Sequence, residues 1–508
     1  MILKNIKIID VLQDGRGVAR TEGKIVFVEN AVYGETLDAE IIAEKKNFLE
    51  AKKLNTKIKS DYQRKPPCPY FYECGGCSIM DINYQTQIKL KKNLIKNALK
   101  KSVGLDIEDL EIIESPELRY RNKVRLQVDE DGGLNYLETY SKKLVKIDDC
   151  LIANEKISKN LARIEKITKD INQKFTASIK EITIRASEND ILLNFQGNFD
   201  NNTIAYIKEK YSTSKYSINL LIGRDLITIS GERYLDNKIG QKEFKISAND
   251  FYQVNDYQIE KLYKIAREFL GQNQKLLDLY CGSATSSMSI NDDHIVGVEI
   301  NKNAIKDAKE NAKRNKLKDY KFIAKNAKFI DSNFIKKEKI DAVTVDPPRA
   351  GLDKEVVKTI ANAGIEKIVY ISCNPQTLAR DIKRFMDKGY ELKKIKAVDM
   401  FPQTMHVETV ALLSKLNTEH HLDIEIGEDE LSEIDFSKDA TYGEIKKYVL
   451  DKYGLKVSSL YIAQIKRKHG LIERENYNFS KKENQRVPNC PEEKEKAIED
   501  ALEHFGMI

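Results

Sequence analysis

The sequence predicts a multidomain α/β protein. It reads as a β-rich N-terminal barrel of OB type, a mixed α+β middle, a doubly wound sheet in the second half and a small helical extension. Three observations carry this. From about residue 256 strand-like and helical runs alternate (KLLDLY, HIVGVEI, NKNAIKDAKENAKRN, KIDAVTVD, KIVYIS), the pattern of a largely parallel sheet with helices on both faces. Residues 1–58 hold short alternating strands broken by the turns DGRG and YGE. Past residue 416 an acidic stretch, DIEIGEDELSEIDF, gives way to basic helical segments. The divisions are therefore 1–58, 59–250, 251–416 and 417–508, and 508 residues suffice for each large region to bury its own core.

Hydrophobic residues at 41% and charged residues at 32% describe a soluble globular chain, with no apolar run near the ~18 residues of a membrane helix. The start, MILKNIKIIDVLQDG, has acid and lysine among its apolar residues and no secretory h-region, which places the protein in the cytosol. A net charge of +6 permits nucleic-acid binding only where the charge clusters. In the barrel Arg16 and Arg20 serve either RNA contact or a plain structural role. Seven cysteines in a reducing compartment point to metal or catalysis wherever they group. Cys68, Cys74 and Cys77 form C-x5-C-x2-C, with Cys150 as a distant fourth; four thiolates suit zinc or an iron–sulfur cluster equally, and an unliganded set is the third option.

In KLLDLYCGSATSSMSI a strand ends at Asp278, Gly282 makes a tight turn and a helix begins near Thr285, so backbone N–H groups face a ligand. Ala284 stands where a G-x-G turn expects its second glycine. Glu299 closes the next strand, where a carboxylate accepts both hydroxyls of a ribose; an ordinary βα turn is the alternative. In VTVDPPRAGLD, Asp346 ends a buried strand before two prolines that fix an extended exit, or that merely make a rigid loop. Cys373 in YISCNPQTLARD ends the following strand in the same mouth, and Glu408 in DMFPQTMHVETVALL stands before the last apolar strand. Taken singly, these two read as a core cysteine and a solvated strand end.

Together, DPPRAGL, SCNPQTLARD and FPQTMHVE in this order closely resemble the RNA (uracil-5-)-methyltransferase family over about residues 1 to 416. The resemblance implies a Rossmann-like class I methyltransferase domain, Cys373 as nucleophile and Glu408 as the base that removes a proton. It implies that Gln253, Tyr280, Thr285, Glu299, Asn326 and Asp346 bind S-adenosylmethionine. The chemistry requires such types. Carbon 5 of uracil becomes nucleophilic only after thiolate addition at carbon 6, a carboxylate must then take the carbon 5 proton, and a paired base must be flipped out to reach the thiol. The N-terminal segment resembles a TRAM domain, an RNA-binding barrel. The family's ribosomal-RNA members carry a [4Fe-4S] cluster at cysteines matching Cys68, Cys74, Cys77 and Cys150, and barrel plus cluster is absent from the bacterial tRNA branch. The implied substrate is a uridine of 23S rRNA, with tRNA as the alternative, handled by a monomer. A radical enzyme and a non-catalytic RNA-binding factor are the rivals outside this class.

Beyond residue 416, Thr441 and Glu444 make a capping box and Gly454 a helix stop. Ser458 or Ser459 caps a second helix ending in Lys466, Arg467 and Lys468, and Pro491 opens a third that closes at Gly506. This extension reads either as an extra RNA contact or as a small helical appendage.

Overall fold

The computed structural model describes residues 1–416, 442–469, 471 and 490–508, apart from positions 22, 140, 224, 248, 249 and 273. The chain divides into two units, Met1–Asn417 and Thr418–Ile508. In the first unit the N-terminal alternation becomes a six-stranded sheet. Its strands, in spatial order, are Ile2–Lys7, Thr36–Glu44, Phe48–Ile58, Lys24–Glu29, Gly17–Thr21 and Asp10–Val11. Val26, Val28, Leu37, Ala39 and Ala51 fill its interior, the buried half of each alternating strand.

The middle region builds a seven-stranded sheet covered on one face by the helices Leu161–Lys174 and Asn201–Tyr211. Leu126, Ile182, Ile184, Leu193, Phe195 and Leu220 point into that core. Because side chains alternate across a strand, Lys123, Arg125 and Gln127 take the opposite, polar face, beside Arg185, Thr183 and Glu181 of the neighbouring strand.

The second half forms an eight-stranded sheet. Its strand order is Tyr320–Ala324, Ile295–Glu299, Leu276–Leu279, Ala342–Val345, Lys367–Ser372, Glu408–Lys415, Tyr390–Val398, Ile112–Ile113. The first five run parallel, with apolar cores on both faces as a doubly wound sheet demands. Glu408–Lys415 reverses and pairs antiparallel with Lys367–Ser372 and with Tyr390–Val398. Packing ignores the division drawn at residue 251. The edge strand Ile112–Ile113 and the helix Tyr84–Val103, through Ile88, Ile95 and Leu99, join the core that holds Leu378, Ile382 and Phe385.

In the second unit the helices Tyr442–Tyr453, Ser459–Lys468 and Glu492–His504 enclose Ile445, Val449, Ile462, Ile465, Ile498 and Leu502. Gly454 is left-handed at φ 67° after the first helix, and Ser458 caps the second on Tyr461 N–H. The capping position Thr441 and the acidic stretch 423–436 lie outside the described residues. Among the described residues no helix is long and apolar enough to cross a membrane.

Candidate active site

Five parallel strands end on one edge of the large sheet, and the loops leaving them form the site. After Leu276–Leu279 the chain turns through three left-handed residues, Tyr280 (φ 71°), Gly282 (54°) and Ala284 (61°). Ala284 thus adopts the backbone of the glycine it replaces, at a strain of roughly 1 kcal/mol. Asp278 pins the turn by accepting from Ser286 Oγ at 3.1 Å and from Ser287 Oγ; burial pushes its carboxyl up to about 6.

Of the expected cofactor residues, Tyr280 and Thr285 stand in this turn, and Glu299 and Asp346 stand at the ends of the strands on either side of it. Thr285 is buried at the first position of the helix Thr285–Ile290, beside the Tyr263 hydroxyl. Glu299 ends its strand and accepts Asn301 N–H at 2.8 Å. Gln253 is buried, its carbonyl accepting from Asn122 Nδ2 at 3.1 Å. Asp346 leaves Ala342–Val345 directly, with burial and the nearby Asp278 raising it to about 7. Asn326 follows the outermost parallel strand, where its Oδ1 accepts Lys328 N–H at 3.0 Å, so that oxygen is committed to a local turn.

The register of the reversed strand decides the rest. Ser372 pairs with Thr409 and Ile371 with Val410, so the next step along both chains sets Cys373 opposite Glu408. Cross-strand neighbours lie close enough for their side chains to interact. Their electrostatics agree. Burial, then Glu408 and Asp346, push the Cys373 thiol up to about 11, while burial and then Asp346 raise Glu408 well above the usual carboxylate range. Glu408 is buried and its Oε2 has no hydrogen-bond partner. The Arg349 guanidinium opposes both shifts and contacts His406 Nε2 at 3.3 Å. Burial and the positive charge of Arg349 hold His406 down at about 4, so it is neutral. Arg349 is itself held from behind: Asn374 Nδ2 and Thr377 Oγ1 donate to its carbonyl at 3.1 and 3.2 Å.

A model of the tRNA (Uracil-5-)-methyltransferase family matches residues 83–416, and a TRAM domain model matches residues 4–54. An uncharacterized RNA methyltransferase of Halalkalibacterium halodurans is 32% identical over 81% of this chain and 97% of its own. Another, from Caldanaerobacter subterraneus subsp. tengcongensis, is 34% identical over 81% and 98%. The chain belongs to the RNA uracil-5-methyltransferase family. It is similar in structure to the Pyrococcus abyssi tRNA (uracil-54, C5)-methyltransferase solved with S-adenosyl-L-homocysteine: TM-score 0.65, 25% identity, 81% of this chain and 100% of that one. This RNA uracil-5-methyltransferase therefore uses S-adenosylmethionine and carries an N-terminal TRAM domain.

In this methyltransferase a cleft of about 850 Å³ runs from Arg349, Phe401 and His406 past Arg121 and Arg125 to the four cysteines. Cys68, Cys77 and Cys150 pack around Met80, Tyr120 and Ile152. Burial raises Cys68, Cys74 and Cys77, Cys74 to about 11, and each of the three is raised further by Cys150, so the four thiols share one site. Among the described residues no three His, Cys, Asp or Glu side chains stand ready around a single metal ion. The four cysteines nonetheless offer the donor chemistry of four-cysteine ligation, with the carboxylates of Glu138 and Asp149 lining the same cleft.

Sequence reasoning assigned no role to Arg349, His406 or Gln403, although all three stand within the quoted motifs. It also passed over Lys91, fully buried and paired with Asp399 at 2.6 Å. The only signal for Lys91 was its place on the apolar face of a lysine-rich helix.

Proposed function

We propose that this enzyme methylates carbon 5 of a uridine in 23S rRNA, with Cys373 as nucleophile and Glu408 as base. The observation that carries the chemistry is the antiparallel register ending at Ser372 and Thr409, which makes the next residues, Cys373 and Glu408, neighbours at the mouth, with the buried Glu408 Oε2 unpartnered. Cys373 adds to carbon 6, and carbon 5 takes the methyl group. Glu408 then removes the carbon 5 proton as the carbon–sulfur bond breaks. S-adenosylmethionine supplies the methyl group as an electrophilic sulfonium. Gln253, Tyr280, Thr285, Glu299 and Asp346 would hold it, with Asn326 the least suited because its Oδ1 already accepts Lys328 N–H. Burial favours the protonated forms of the thiol and of Glu408, and Arg349 is the positive group that opposes this in both.

The cleft past Arg121 and Arg125 is the RNA path, and the N-terminal sheet acts as an OB-like barrel at its end, where Gln13 and Asp14 line it. Cys68, Cys74, Cys77 and Cys150 hold a [4Fe-4S] cluster that ties the 68–77 loop to residue 150; it lends rigidity and takes no part in methyl transfer. The joint presence of barrel and four cysteines supports rRNA. The likeness to a tRNA enzyme keeps tRNA as the second reading. Mapping 5-methyluridine across ribosomal and transfer RNA in cells with and without the gene tests this. Loss of a 23S site is expected, and loss confined to tRNA overturns the substrate.

A further inference from the structure

The segment between the last two long strands, Asp399 to Val407, delivers Glu408 to the site, yet it has no regular structure of its own. Four consecutive carbonyls in it are caught by four different parts of the chain. Asn255 Nδ2 donates to Met400 O at 3.2 Å, Lys91 Nζ to Phe401 O at 3.0 Å and Tyr120 OH to Pro402 O at 3.0 Å. Ser78 and Ile79 N–H donate to Gln403 O at 2.9 and 3.1 Å. Backbone groups of an irregular buried loop must find such partners, and here each partner also fixes a position.

Gln403 carries most of this load. It is fully buried and left-handed at φ 68°, a conformation that disfavours a side chain and survives only where the surroundings over-determine it. Its Oε1 accepts from Arg64 Nη2 at 2.9 Å and Gln87 Nε2 at 3.0 Å, its Nε2 donates to Glu117 Oε2 at 2.9 Å, and its own N–H donates to Gln87 Oε1 at 3.1 Å. Every hydrogen-bonding group of Gln403 is thus engaged with Arg64, with Ser78 and Ile79, with Gln87 of the helix Tyr84–Val103 or with Glu117, none with the strand it precedes.

We propose that Gln403 is a positioning residue. By locking the 399–407 segment to the chain that follows Cys77, it sets where the Glu408 carboxyl stands opposite Cys373. This rests on the reading of Glu408 as the base. Gln403 does not touch the uracil, so losing it affects the step that needs Glu408 in place, proton removal and release, more than thiol addition or methyl transfer.

Gln403→Gly isolates the side chain, because glycine keeps the left-handed backbone and the carbonyl that Ser78 and Ile79 hold. Purified full-length Gln403→Gly, Arg64→Met and Glu408→Gln are each given unmodified RNA and S-adenosylmethionine. Methyl transfer in a single turnover and the covalent RNA–enzyme adduct are followed by mass spectrometry. In Gln403→Gly methyl transfer should stay within a few-fold of wild type while release slows about tenfold or more, so that a methylated adduct accumulates as in Glu408→Gln. Arg64→Met, which removes one of the bonds to Gln403 together with the contacts of Arg64 to Met80 O and Glu117 at a partly exposed site, should show a smaller shift of the same kind and covers the case in which Gln403→Gly does not fold. Methyl transfer and release falling together without adduct, or release at the wild-type rate, overturns the positioning role while an adduct in Glu408→Gln leaves the base assignment standing. An adduct missing from Glu408→Gln overturns the base assignment itself.

Discussion

Two carboxyl groups, Glu408 and Asp346, push the Cys373 thiol up and one cation, Arg349, pulls it down. The nucleophile is the thiolate, so its reactivity toward a simple alkylating agent follows the ionised fraction. With the thiol pushed up to about 11, alkylation of Cys373 in the free enzyme should climb about tenfold per pH unit from 7 to beyond 9, with no plateau near the ordinary thiol value. Arg349→Gln removes the stabilising cation. It should slow that alkylation at pH 8 by roughly two- to tenfold and lower turnover by at least as much. Peptide mass spectrometry of iodoacetamide-treated protein reads both, and an unchanged alkylation rate would remove Arg349 from the site. The residue types at this site were legible in the motifs. Their electrostatic balance was not, because Arg349 reaches Cys373 and Glu408 only through loops that sequence spacing cannot fold.

At the scale of elements, the reversal of one strand does what a parallel sheet cannot. Glu408 begins its strand, and in a parallel strand it would lie on the edge away from the mouth; running antiparallel, the same residue starts at the mouth, opposite Cys373. The alternation of strands and helices announced the five parallel strands. It did not announce the reversal, since Glu408–Lys415 is buried on both faces and reads as an apolar run in either direction. Lys91 was equally illegible, its partner being 308 residues away. The βα turn taught the opposite lesson: Ala284 breaks the glycine pattern but keeps the glycine conformation. Ala284→Gly should therefore be nearly neutral. Relief of about 1 kcal/mol of strain is offset by about 0.8 kcal/mol of lost methyl burial and by greater freedom in the unfolded chain. Ala284→Val adds a β-branch to that backbone and to a full core, and should cost about 2 kcal/mol or more. Denaturant midpoints at unchanged m-value measure both.

At the scale of the whole molecule, two regions remain to be tied to the chemistry. If the cysteine site that borders the cleft holds the proposed [4Fe-4S] cluster, anaerobically purified protein should carry about four irons and four sulfides per chain. Cys74→Ser should remove them, and stoichiometric zinc in their place would refute the assignment. The second unit looked basic in sequence, but its acidic last helix answers several of those charges. Lys468 pairs with Glu495 and Glu499, His469 with Glu499 and Lys452 with Asp500. Groups paired in this way release few counterions on binding RNA. Truncation after Leu416 should accordingly leave turnover intact and change the salt dependence of RNA affinity by less than about one unit of slope; a larger change would restore an RNA role. The central claim is that Cys373 attacks the base and Glu408 removes the proton that follows. RNA carrying 5-fluorouridine tests it most directly, because after methyl transfer carbon 5 holds no proton to remove. Incubated with such RNA and S-adenosylmethionine, the enzyme should be trapped as a stable complex in which mass spectrometry finds a methylated 5-fluorouridine joined to the peptide containing Cys373. A link to any other residue, or methylated product released with no complex formed, would contradict the account.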